Sequence, residues 1–83
     1  MYAVEFDPPA EKQRDTLPVE ALPAFMEVRA LLELAPWSGD PSPSNPAGNM
    51  LSMLSMPFGH SGIVMYVVME RRQLVYIVRI VWL

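Results

Sequence analysis

The sequence predicts an α+β fold in a single domain spanning residues 1–83. The expected order is an N-terminal strand, an αα-hairpin and a three-stranded antiparallel sheet segment, with the helices packed on one sheet face. Three observations carry this: apolar residues alternate at the N-terminus, proline-punctuated stretches with three- and four-residue apolar steps follow, and two β-branched, aromatic-rich runs close the chain. A chain of 83 residues leaves room for one core, and at this length only about 60–65% of the unfolded surface is buried. With 52% hydrophobic and 18% charged residues, the chain is too apolar for disorder throughout. It is also apolar enough to leave surface for a partner or a second copy to cover.

Tyr2, Val4 and Phe6 share one face of a period-2 run and predict the first strand. Asp7 followed by Pro8 is a helix start, since an Asp oxygen can accept orphan N–H groups and proline fits the first helical position. This helix runs to about Thr16. Leu17-Pro18 ends it and opens a second helix, because the residue before proline avoids the α region. Leu22, Phe25, Met26, Arg29, Leu32 and Leu34 provide its apolar stripe, with Glu20, Glu27 and Glu33 toward water. Pro23 is out of place inside such a helix, so the helix either kinks there or begins later than Pro18. Residues 36–49 read PWSGDPSPSNPAGN and predict a long Pro/Ser-rich loop. Residues 50–56 suit a strand or a short helix, and Pro57-Phe58-Gly59-His60 a turn. Ile63–Glu70 and Gln73–Leu83, joined by Arg71-Arg72, predict an antiparallel hairpin, although Arg-Arg lacks the Gly or Asn that primed turns favour.

Pairing Glu70 with Gln73 divides this hairpin into two faces. Ile63, Met65, Val67, Met69, Leu74, Tyr76, Val78, Ile80 and Trp82 form a face without charge, expected to sit under the helices. The opposite face then holds Val64, Tyr66, Val68, Glu70, Gln73, Val75, Ile77, Arg79 and Val81, with His60 and Gly62 at its edge. Arg79, Tyr66 and His60 would converge there. Arginine supplies a fixed charge for phosphate, tyrosine a stacking platform or proton donor, and histidine a side chain of the type that titrates near neutrality. The alternative is structural: Arg79 paired with Glu70 or snorkelling, Tyr66 packed, His60 capping a loop. Arg71 and Arg72 could touch RNA phosphates, or simply keep the hairpin tip solvated and unable to aggregate.

Several classes are excluded. Residues 1–40 hold eight acidic side chains against Lys12, Arg14 and Arg29, while residues 41–83 hold Glu70 against Arg71, Arg72 and Arg79. A net charge of −3 argues against a diffuse nucleic-acid binder, and any anion-seeking surface belongs to the second half. Without cysteine, and with His60 as the one histidine, no metal site or disulfide scaffold is expected, and the composition fits a reducing cytoplasm. No nucleotide-cradling glycine motif occurs, and Gly59-His60-Ser61-Gly62 lacks the spacing of a nucleophile elbow. The N-terminus lacks signal-peptide character, and Pro57 and Gly59 to Gly62 interrupt the one apolar stretch of membrane length. No cofactor and no membrane association are expected.

The element order, together with Pro57-Phe58-Gly59, Gly62-Ile63-Val64-Met65-Tyr66-Val67-Val68 and Val75-Tyr76-Ile77-Val78-Arg79-Ile80-Val81-Trp82, resembles the RelE/ParE superfamily of toxins; Leu17-Pro18 fits it too. The resemblance implies a toxin of a type II toxin-antitoxin system. RelE-like members cut messenger RNA in the ribosomal A site without metal, as endoribonucleases that inhibit translation, whereas ParE-like members poison DNA gyrase. It implies Arg79 and Tyr66 as catalytic candidates, with His60 added on geometric grounds. It further implies a cognate antitoxin, which would cover Val64, Val75, Ile77 and Val81 or the sheet edge, and without which the chain would self-associate. The sequence departs from the nuclease pattern in having no Arg within Gly62–Val64 and no basic, Tyr or His residue after Trp82. A degenerate module that only binds a partner is the remaining reading.

Overall fold

The computed structural model describes residues 1–41 and 53–83. In chain order these form β1 (Ala3–Phe6), α1 (Pro8–Asp15), α2 (Leu22–Leu34), β2 (Asp40–Pro41), β3 (Met53–Phe58), β4 (Gly62–Met69) and β5 (Leu74–Trp82). Short 3-10 turns cover Val19–Ala21, Pro36–Ser38 and Glu70–Arg72. The strands make one five-stranded sheet in the order β1-β5-β4-β3-β2. β1 runs parallel to β5, and the other neighbours are antiparallel. The α+β expectation therefore holds, and β1 and the two-residue β2 widen the expected three-stranded segment. β2 falls inside the predicted loop, whose residues 42–49 lie outside the described residues, as do residues 50–52 of the predicted strand or helix.

Asp7 adopts the extended backbone of an N-cap before Pro8, but its carboxylate makes no capping hydrogen bond. That carboxylate is instead engaged by Tyr76. Thr16 closes α1, its hydroxyl donating to the carbonyls of Lys12 and Gln13. Pro23 is resolved by a late start. With α2 beginning at Leu22, the proline stands in the first turn, where no backbone donor is required. Phe25, Val28 and Leu32, at three- and four-residue steps, bury the helix against the sheet. The predicted stripe is otherwise corrected: Met26 is 64% and Leu34 69% exposed.

β3 continues through Pro57 and Phe58, so the turn is Gly59–Ser61. β3 tolerates Pro57 because β2 pairs only as far as Ser55, leaving that part of β3 an edge. Gly59 has φ of 61°, a left-handed conformation that favours glycine, and Trp82 packs against it. At Gly39 a Cβ would collide with the Tyr66 hydroxyl and the Ser55 carbonyl oxygen, so only glycine lets the chain pass from α2 to β2 over this tyrosine.

The hairpin explains the main departure from expectation. Met69 pairs with Leu74, Val67 with Tyr76 and Tyr66 with Ile77, the register that Glu70 opposite Gln73 requires. Between Tyr66–Ile77 and Met65–Arg79, β5 carries one extra residue, Val78. This bulge inverts the parity of β5, so Ile77 and Ile80 both enter the core and Arg79 turns to the opposite side. The face under the helices is Val64, Tyr66, Val68, Val75, Ile77 and Ile80, together with Leu54, Met56 and Phe58 of β3. Of the predicted face only Ile80 and Trp82 lie on this side, whereas Ile63, Met65, Val67, Met69, Leu74, Tyr76 and Val78 do not. Both sets are apolar, so hydrophobicity did not separate them. The charge of Arg79 eliminated the correct one only because the bulge was not foreseen. A ladder of rings, Phe6–Phe25–Phe58–Trp82 with centroids 6.3, 5.6 and 5.4 Å apart, ties β1, α2, β3 and β5 together within this core.

Candidate functional site

The sheet face turned away from the helices is built from the alternate residues of each strand. β5 contributes Leu74, Tyr76, Val78, Arg79 and Val81; β4 contributes Ile63, Met65, Val67 and Met69; β3 contributes Met53, Ser55 and Pro57. Glu5 of β1 joins it through its register with Tyr76. Asp40 of β2 joins it opposite Ser55, since the preceding position, Gly39, faces the buried Tyr66. Arg79 is exposed and is the only basic residue in any strand. It lies opposite Met65, which lies opposite Ser55, which lies opposite Asp40. One row thus crosses four strands with a cation at one end and a carboxylate at the other. The ion pairs among the described residues are Arg14–Asp15 at 3.0 Å and Arg29–Glu33 at 3.9 Å, so neither Arg79 nor Asp40 is matched by an opposite charge there.

The expected convergence of Arg79, Tyr66 and His60 is not found. Tyr66 is fully buried on the helix side of the sheet, and its hydroxyl donates to the Pro36 carbonyl at 2.6 Å. Burial pushes this phenol up to about 12, aided by the nearby negative charge of Asp40 and opposed by a hydrogen bond from the backbone of Gly39. The side chain is a buried tie between β4 and the chain leaving α2, on the opposite side from Arg79. His60 is exposed in the β3–β4 turn. It lies beyond the Gly62–Trp82 pair, which is three register positions from Met65–Arg79, or about 10 Å at the usual strand rise. Arg71 and Arg72 are exposed at the other end of the hairpin, and Gln73 closes that turn with φ of 51°.

The predicted antitoxin patch is corrected in the same way. Val64, Val75 and Ile77 are fully buried beneath the helices, and only Val81 remains on the open side, beside Ile63, which is 42% exposed. No partner can reach the first three without removing the helices.

Two polar arrangements were not foreseen. Tyr76, expected in the core, stands on the open face and donates to Asp7 Oδ1 at 2.6 Å, a bond that holds its phenol above the usual tyrosine range. At the hairpin tip, Glu70 accepts from the Tyr2 hydroxyl at 2.8 and 2.9 Å, from Trp37 Nε1 at 2.9 Å and from Gln73 Nε2 at 3.2 Å. The Tyr2 contact is the main reason its carboxyl lies below the ordinary glutamate value, with Trp37 and Gln73 adding to it. Glu70 therefore pins the first strand and the Pro36–Ser38 turn to the hairpin instead of pairing with Arg79. No local sequence pattern signals either arrangement, because apart from Gln73 the partners are 33 to 69 residues apart.

Chemically, the open face offers one fixed cation in apolar surroundings, with a hydrogen-bonded phenol further along the same strand. Arg79 can hold a phosphate or carboxylate group, and the flanking Met, Val and Ile side chains can cover apolar or aromatic surface. Among the described residues, no group of three or more His, Asp or Glu side chains is placed to hold a metal ion, and no helix is long and apolar enough to cross a membrane.

No protein-family model matches the sequence, and no curated protein matches it. Solved structures do match the fold. A chain of the intact E. coli RelBE toxin-antitoxin complex superposes with a TM-score of 0.76 at 15% identity, covering 100% of this chain and 98% of that one. A chain of the archaeal RelE–RelB complex from Pyrococcus horikoshii OT3 superposes with a TM-score of 0.73 at 20% identity, covering 98% and 93%. The chain has a RelE-like fold across its whole length.

Proposed function

We propose that this chain is the toxin subunit of a type II toxin-antitoxin pair and that it binds a cognate antitoxin. The observation that carries this reading is the end-to-end match to chains of two RelE–RelB complexes. The finer reading is ribosome-dependent cleavage of messenger RNA on the open sheet face. There Arg79 would neutralise charge developing on the scissile phosphate, the role for which a fixed guanidinium is suited. Tyr66 cannot share in that chemistry while it is buried beneath the helices. Tyr76, on the open face with its proton held toward Asp7, is the phenol available to it. The gyrase alternative draws no support from the two structures named above, which are RelE complexes.

A second reading is favoured by a specific observation: apart from Arg79, Glu5 and Asp40, the open-face residues are almost all apolar. Such a surface suits partner binding without cleavage. Purified chain added to translating ribosomes, followed by mapping of transcript 5′ ends, separates the two. New ends at A-site codons that disappear with Arg79→Ala support the nuclease reading; unchanged transcripts with folded protein leave a toxin-fold subunit that acts by binding.

A further inference from the structure

We propose that the open sheet face is a self-association surface, on which two copies of this chain pack face to face about a two-fold axis parallel to the strands. The row Arg79–Met65–Ser55–Asp40 is the basis. Its ends carry opposite charges, lie three strands apart, about 14 Å at the usual strand spacing, and are placed symmetrically about the boundary between β3 and β4. Rotation about an axis along that boundary brings Arg79 of one copy over Asp40 of the other, and Asp40 over Arg79. In the same operation Met65 comes over Ser55 and Ile63 over Pro57; Val67, opposite Met53, is already buried within the monomer and adds little to the contact. An isologous interface needs such a self-complementary patch.

Each contact has the right chemistry. Ile63 is 42% exposed, a large apolar side chain left in water by the monomer. Met53, Met65 and Met69 are half-buried and unbranched, so they can adapt as two sheets approach to about 10 Å. The charged ends lie toward the rim, where a guanidinium can reach across the intersheet gap while its stem lies on apolar surface. Glu5, in the neighbouring row on the edge strand, falls outside the overlap. β3 and β4 overlap along about 20 Å, whereas the two-residue β2 meets β5 only around the Arg79–Asp40 row, so the contact covers less than about 400 Å² per copy, at the weak and reversible end of associations. In the dimer Arg79 is engaged at the rim by Asp40 of the other copy, so a chain in this state offers that residue less readily to an anionic ligand. This geometry is independent of the toxin reading.

Sedimentation equilibrium of the full chain, from about 10 μM to 1 mM, tests this with charge reversals. The parent is expected to rise from monomer toward dimer mass across that range. Arg79→Glu and Asp40→Arg should each weaken association at least about tenfold, and the double variant should return to within about threefold of the parent. Both positions are exposed, so the variants should keep the parent's circular dichroism and melting behaviour. Methyl NMR on dilution provides an independent readout: Met53, Met65 and Ile63 signals should shift, and that of Met26 on the outer side of α2 should not. A monomer throughout the range, single reversals without effect, failure of the double variant to restore association, or dilution shifts centred on Met26 would each overturn the proposal.

Discussion

The two faces of the sheet are nearly equal in hydrophobicity and opposite in fate. Val64, Tyr66, Val68, Val75 and Ile77 lie beneath α1 and α2, whereas Ile63, Met65, Val67, Met69 and Tyr76 lie on the side without helices. What distinguishes them is side-chain shape, together with the few charges that only the open face carries. The covered face is mostly β-branched and meets Phe25, Val28 and Leu32; the open face is richer in methionine and carries the sheet's one cation. Val78 makes the division possible. By adding one residue to β5, it lets a single strand place Ile77 and Ile80 in the core and still direct Arg79 to water.

The largest effect that would break this comparison is removal of the bulge. Deleting Val78 should force Arg79 or its neighbours onto the helix side, and burying an unpaired guanidinium costs several kcal/mol out of a total stability of about 5–15 kcal/mol. The expected result is loss of the cooperative thermal transition in circular dichroism; a deletion variant that melts like the parent would mean that the bulge does not set the parity. Next in size is a matched pair of truncations. Ile77→Ala, at a fully buried position, should cost about 3 kcal/mol in urea unfolding, and Ile63→Ala, at a position 42% exposed, less than about 1 kcal/mol. Equal costs would contradict the assignment of faces.

The smallest of the three sharpens the comparison through ionisation. The Tyr66 phenol is raised from 10.0 to about 12 by burial. A group raised in the folded state contributes stability that is complete below its unfolded value and is lost as pH rises from about 10 through 12. Alkaline unfolding of the parent should therefore contain a contribution of about 2–3 kcal/mol that Tyr66→Phe removes. The same variant should cost about 1–2 kcal/mol at neutral pH, since the Pro36 carbonyl then loses its donor. An alkaline limb unchanged by Tyr66→Phe would contradict its burial.

Much of this architecture was legible from residue order. The N-terminal alternation of Tyr2, Val4 and Phe6, the Pro8 and Pro18 punctuation and the two C-terminal runs located β1, the helix pair and the hairpin. Its near-turn register was legible too, because a short connection leaves few ways to pair Met69 with Leu74. The candidate site was less so. Arg79 was found as the cation of the sheet, but its association with Tyr66 assumed unbroken alternation between Tyr66 and Arg79, and one bulged residue separates them to opposite sides. Bulges have no distinctive signature when the extra residue is a valine in a run of β-branched neighbours. The roles of Asp7 and Glu70 were hidden for a different reason: each is fixed by a tyrosine more than 60 residues away, and sequence proximity carries no trace of it.

Under the proposed function the open face carries the activity, and the covered face only holds the chain together. Growth after tightly controlled induction, comparing the parent with Arg79→Ala and Tyr66→Phe at matched soluble abundance, tests it most directly. Arrest by the parent, relief by Arg79→Ala and continued arrest by Tyr66→Phe are expected. Relief by Tyr66→Phe with arrest retained by Arg79→Ala would contradict it, because activity would then depend on the face buried beneath the helices.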